Sequence, residues 1–138
     1  MNALFKDGPE LKVVGRDGHN WTLLEEKLIV MSDGRTFKMP VGAKSDGASI
    51  PEIGWSLGLA PFGTYWPATY AHDCAYRNTL LVLRGGEWVQ ANLTQRESDD
   101  LLDALMFALG TPFAERTIIY RALREFGSKG FEADRAHA

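Results

Sequence analysis

Lys27-Leu28-Ile29-Val30-Met31-Ser32-Asp33-Gly34-Arg35-Thr36-Phe37-Lys38-Met39 reads as two short apolar runs around an Asp-Gly turn. Glycine accepts the positive φ that a tight reversal demands, so Ser32-Asp33-Gly34 folds the chain back and lays the two runs side by side, antiparallel. Towards the N-terminus the pattern repeats. Leu11-Lys12-Val13-Val14 and Trp21-Thr22-Leu23-Leu24 flank a second turn at Arg16-Asp17-Gly18-His19-Asn20. Residues 10–44 therefore predict a small antiparallel sheet of three or four strands.

Towards the C-terminus the apolar period lengthens to that of helices. Ser49-Ile50-Pro51-Glu52 has a capping serine, a first-turn proline and a glutamate three residues on, which opens a short helix to about Leu57. A longer helix is expected over 64–77, where Ala68, Ala71 and Ala75 form a small-residue stripe that lets a neighbour approach closely. Near 79–90 a second hairpin sets Leu80 to Leu83 against Trp88-Val89 across Arg84-Gly85-Gly86-Glu87. Thr94-Gln95-Arg96-Glu97 is another capping box, opening a helix over 95–109 that Gly110 ends. Thr111-Pro112 opens a third helix over 112–126, with Ile119, Ala122, Leu123 and Phe126 inward and Arg121, Arg124 and Glu125 outward. Gly127 stops it, and the polar residues 128–138 are expected to be a frayed tail. The expectation is an α+β fold in one domain over 1–138: a small N-terminal antiparallel sheet packed beside three main helices, with 49–127 mainly helical.

The whole-chain properties agree with one packed domain. Its 138 residues are 45% hydrophobic and 24% charged, enough for a real core. A formal charge of −3, with no Lys/Arg run, speaks against a nucleic-acid partner held through phosphates. Cys74 is the one cysteine, so no internal disulfide is available. Neither a secretory leader nor a stretch approaching 18 apolar residues is visible, and no membrane span is expected.

The chemistry concentrates in Ala71-His72-Asp73-Cys74-Ala75-Tyr76-Arg77. An imidazole on an alanine-lined helix must find partners or cost stability. Stepping the 95–109 helix at 100° per residue puts Leu101, Leu102, Leu105, Met106 and Leu109 on one stripe, and Asp99 at its edge. Asp99 is thus the carboxylate best placed to reach His72, with Asp46 or Asp103 as substitutes, whereas Asp100 faces away and Glu97 is the capping glutamate. A histidine oriented by a carboxylate is a general base for water, which makes His72 and Asp99 the catalytic candidates. Asp73, Tyr76, Arg77 and Ser49 are the supporting residues. The ordinary roles are an i,i+4 ion pair for Asp73 and Arg77, a turn for Asp46-Gly47 and a helix cap for Ser49. The candidate ligands for a divalent cation are Asp46 and Asp73. Cys74, two residues past His72, cannot face it on a helix and reads as a packed thiol. Trp55, Phe62, Tyr65, Trp66, Tyr70 and Tyr76 crowd one segment, read first as core and alternatively as a partner- or glycan-binding face.

Three ordered motifs carry a resemblance: Val41-Gly42-Ala43-Lys44-Ser45-Asp46-Gly47-Ala48-Ser49-Ile50-Pro51, the His72-Asp73 helix, and Arg96-Glu97-Ser98-Asp99 followed by an Ala-Leu-Met helix. Over roughly residues 38–127 the chain resembles a widespread family of small phage and prophage proteins that form a domain of unknown function. The resemblance implies a phage origin near tail or lysis genes and no established activity. His72, Asp73 and Tyr76 also resemble, in type and spacing, the helix of calcium-dependent secreted phospholipases, with Asp99 in the place of their distant aspartate. The displaced cysteine, the missing disulfides and the lack of a glycine-rich calcium loop depart from that pattern. A His-Asp doublet also occurs in metal phosphohydrolases, whose further histidines are missing here.

The sequence does not name a reaction. One reading is a virion component, or a protein binding other virion proteins or a host protein, in which a buried His–Asp network fixes helix register. A second is a small His–Asp hydrolase, with or without a divalent cation, acting on a cell-envelope bond. A third is a regulator of host defence. All three place synthesis in the host cytoplasm, the first with assembly into the virion. The sequence favours the first, because every candidate catalytic residue also has a packing or capping role.

Overall fold

A computed structural model describes residues 2–17, 20–46 and 65–136. The expected helix at 49–57, the Ser49 cap, Trp55 and Phe62 lie outside the described residues.

The Asp-Gly turn does what its sequence demands. Strands β4 (Lys27–Met31) and β5 (Thr36–Met39) pair antiparallel, with Ile29 opposite Phe37 and Lys27 opposite Met39. Alternation along the two strands then sends Ile29, Met31, Phe37 and Met39 into the core. On one side β1 (Ala3–Phe5) pairs with β4 and adds buried Ala3 and Phe5. On the other, β5 receives the second hairpin, β7 (Leu81–Arg84) and β8 (Glu87–Gln90), through Phe37 opposite Val82. Gly85 and Gly86, at φ 60° and 81°, supply the two left-handed residues that a two-residue reversal of this hand requires.

The strands of the first half do not form one sheet as expected. β2 (Val13–Asp17), β3 (Asn20–Leu23) and β6 (Lys44–Ser45) form a second, three-stranded antiparallel sheet beside the five-stranded one, ordered β1-β4-β5-β7-β8. The chain passes from the larger sheet back to the smaller one at Pro40. Proline has no N–H for a ladder, so the chain leaves β5 there. It turns with Ala43 N–H bonding Pro40 O at 3.1 Å, and β6 then joins β3.

Four helices are described. α1 (Trp66–Tyr76) has Pro67 in its first turn and is buried on every side from Ala68 to Tyr76. α2 (Gln95–Ala108) opens on the complete capping box, with Thr94 Oγ1 accepting from Glu97 N and Glu97 Oε1 accepting from Thr94 N. Its Leu101, Leu102, Leu105 and Met106 are buried, and it packs against α1 and β1. α3 (Phe113–Phe126) lies on α2 through Ile119, Ala122 and Leu123. Phe126, placed inward by periodicity, is instead 54% exposed. Residues 128–138, expected as a frayed tail, carry α4 (Ser128–Ala136). What holds it is Arg135. Its Nε donates to Tyr76 O and its Nη2 to Ala75 O, both at 3.0 Å, and also to Leu93 O. The guanidinium thereby adds donors at the C-terminus of α1, where Ala75 O also accepts from Asn78 N–H at 3.2 Å.

The fold is α+β, with the main core between the inner face of the five-stranded sheet and α1 and α2. Among the described residues no helix is long and apolar enough to cross a membrane.

Candidate functional site

α1 is the centre of the molecule, so its polar residues must be satisfied by its neighbours. His72 is 1% exposed and Asp99, arriving from α2, is 0% exposed. His72 Nε2 and Asp99 Oδ1 are 2.8 Å apart. Tyr76, one turn beyond His72, donates its hydroxyl to the same oxygen at 2.7 Å, and Arg124 Nη1 of α3 donates to Asp99 Oδ2 at 2.9 Å. One carboxylate thus joins three helices. Burial, and then the bond to Asp99, push the Tyr76 phenol far above its ordinary value, so it stays a donor throughout the neutral range.

A carboxylate only accepts, so the proton of the His72–Asp99 bond belongs on Nε2. In neutral imidazole Nδ1 is then the bare, basic nitrogen. It is buried and has no hydrogen-bond partner among the described residues. His72 borders a cavity of about 230 Å³, which it shares with Asp46, Asp73, Tyr76 and Arg77 on one side and the α3–α4 junction on the other. That volume has room for several water molecules.

The second polar pair on α1 faces the β6 end of the sheet. Ser45 Oγ donates to Asp73 Oδ2 at 2.5 Å. Arg77 Nη2 lies 3.4 Å from Asp46 Oδ2, and its Nη1 donates to Asn20 at 2.8 Å. Asp46 and Asp73 therefore border the cavity beside His72, but the positive charge next to Asp46 is a guanidinium. Among the described residues no three His, Cys, Asp or Glu side chains are placed to hold a metal ion.

A family described as a protein of unknown function, DUF1353, matches residues 21–123. The chain belongs to the DUF1353 family. No curated protein and no solved structure matches it. The DUF1353 match runs from β3 to the last turn of α3, so it contains Asp46, His72, Asp73, Tyr76, Arg77 and Asp99. It stops one residue before Arg124 and does not reach α4.

Within the DUF1353 fold, His72, Tyr76 and Asp99 meet at one point, while Asp46, Asp73 and Arg77 line the adjoining wall. Asp103, the substitute partner, is taken by Arg116 at 3.1 Å, and Asp100 accepts from Tyr120 at 2.5 Å. Cys74 is fully buried, and burial pushes its thiol up to about 12, so it is inert as a nucleophile. Tyr65, Tyr70 and Tyr76 pack inside, as the core reading of the aromatic segment requires. Tyr70 donates to Trp21 O and Ala43 O, tying α1 to the second sheet. Ser49 lies outside the described residues. Sequence reasoning missed Arg124, Ser45 and Arg135. Arg124 had a signal, since a carboxylate buried at Asp99 calls for a cation and Arg124 directly follows buried Leu123.

Proposed function

We propose that the chain is a small phage-encoded hydrolase, made in the host cytoplasm, in which His72 is the general base that activates water against a cell-envelope bond. The observation that supports it is that His72 borders a cavity with room for water while its Nδ1 has no hydrogen-bond partner among the described residues and its Nε2 is anchored to Asp99. A histidine kept only to tie helices together would be expected to use both nitrogens, because an unpaired buried polar atom costs about 1–3 kcal/mol. Water in the cavity gives its proton to Nδ1 as its oxygen attacks. The imidazolium passes that proton to the leaving group as the substrate bond breaks, and Asp99 stabilises the cation in between. Tyr76 and Arg124 are positioning residues, since they hold the carboxylate that holds the imidazole. No step is routed through a cation.

The test is release of products from purified envelope fractions, with divalent cations added and with a chelator. His72→Ala is expected to lower turnover by about 10²–10⁴-fold when assayed below its own, lower melting temperature, a loss that unfolding does not account for. Wild-type protein that releases nothing under any of these conditions overturns the proposal on these substrates.

A second reading rests on the same centre's burial, 1% for His72 and 0% for Asp99. In it the three-helix network fixes register in a virion component or partner-binding protein. Variants of His72 and Asp99 would then melt early, and the wild type would show no turnover.

A further inference from the structure

We propose that α4 is a strap that closes the His72 cavity, latched by Arg135 and hinged at Gly127, and that it opens locally to expose Nδ1. The value of opening to a substrate rests on the hydrolase reading, but the movement itself does not.

Position is the first ground. The cavity runs from His72 and Asp73 on α1 to Gly127, Gly130 and Asp134 on the far side, and the last two belong to α4. His72 is 1% exposed, and on that side α4 supplies the cavity wall that a molecule approaching the imidazole must pass.

The second ground is how weakly α4 is held. None of its residues is buried, and it is nine residues long with Gly130 in its interior. Isolated helices shorter than about 12–15 residues are marginal in water, and an internal glycine weakens them further. The helix therefore depends on its tertiary contacts. Arg135 supplies three of them, to the carbonyls of Ala75, Tyr76 and Leu93. Its guanidinium also lies 4.6 Å from the Phe131 ring centroid, and Phe131 meets Tyr76 edge-on at 5.2 Å. The latch thus grips Tyr76, the residue that donates to Asp99. A strap fastened here is coupled to the dyad it covers.

The third ground is the hinge. A Cβ at residue 127 would lie 2.5 Å from Leu123 O and 3.0 Å from the Tyr76 hydroxyl. Only glycine fits the closed position. The near-helical chain on both sides, with Gly127 N–H bonding Leu123 O and Phe131 N–H bonding Gly127 O, lets α4 unwind from one point.

The test follows acylation of His72 by diethyl pyrocarbonate, read by peptide-resolved mass spectrometry so that His19 and His137 are counted apart. The assay modifies the imidazole directly, so it stands or falls separately from turnover. In the wild type, His72 modification is expected to depend on urea far more weakly than global unfolding does, because only α4 need open. Arg135→Ala should accelerate it about tenfold or more, the lower end for losing hydrogen bonds to a charged donor. In the opposite direction, Gly130→Ala, whose Cβ would meet nothing within 4 Å, should slow amide exchange in α4 about fivefold through helix propensity alone. His72 modification that tracks global unfolding in the wild type overturns the proposal, and does so even if Arg135→Ala does not fold. A folded Arg135→Ala protein with an unchanged rate also overturns it.

Discussion

Replacing Asp99 with asparagine exchanges one oxygen for an amino group where three helices meet. The remaining oxygen can keep His72 Nε2 and the Tyr76 hydroxyl, both of which address Oδ1. The new amino group then points at Arg124 Nη1, which addresses Oδ2 from 2.9 Å, and two donors face each other. Losing that charge-assisted bond inside a buried site costs about 1–3 kcal/mol. Arg124→Ala instead leaves the buried Oδ2 without its cation, at about 1.5–3 kcal/mol. For a chain of this size each kcal/mol lowers the melting temperature by about 3–4 °C. The two changes are not independent, because removing Arg124 removes the donor that the new amino group would face. The double variant is therefore expected to be less destabilised than the two single costs combined, by at least about 1 kcal/mol. Urea unfolding at neutral pH, followed by far-UV circular dichroism for wild type, both single variants and the double variant, measures the coupling. Additivity within about 0.5 kcal/mol would refute the shared carboxylate as the source of both effects.

Further outcomes follow from other parts of the structure. Because burial raises the Tyr76 phenol above its ordinary value, the folded state binds that proton more tightly than the unfolded chain. The associated stability is fully present below about pH 10 and is lost as pH rises above it, so Tyr76→Phe should flatten the alkaline fall in urea midpoint. An equal slope in both proteins would count against this assignment. Gly127→Ala must push Leu123 O or the α3–α4 junction aside, at about 1–3 kcal/mol, and should abolish exchange protection in α4 first. Thr94→Ala removes half of the capping box, and a loss of about 1 kcal/mol with fraying of the first turn of α2 is expected, read by amide exchange. Cys74 should stay unreactive to a thiol reagent in native protein and react once urea unfolds it; rapid native labelling would contradict its burial.

Local chemistry made much of this architecture readable. Asp-Gly and Gly-Gly reversals and the Thr94–Glu97 capping box are decided within a few residues, and the elements they begin or join stand close to where the sequence puts them. The 100° stepping of α2 placed Asp99 at the edge of the apolar stripe, which is where a side chain can reach α1. What escaped was decided across the chain. Periodicity puts Arg124 outside, and it is exposed there, but nothing local says that its guanidinium reaches back to a buried carboxylate 25 residues away. A polar, glycine-containing tail has no apolar stripe to announce a helix, and α4 is tied down by long-range bonds from Arg135 to the end of α1. The division into two sheets is set between β3 and β4 and again at Pro40, and no local signal says which edge β6 will join.

The shared carboxylate also constrains how the chain can come together. Its three bonds span sequence separations of 23 to 27 residues, and the cation among these three donors is on α3. If α1 and α2 dock before α3 arrives, they enclose a carboxylate with two neutral-group donors and no countercharge, a partial assembly that is penalised. The core should then close in a single cooperative event once residue 124 is available. During synthesis this means that the ribosome must release most of the chain before any of the helical half can settle.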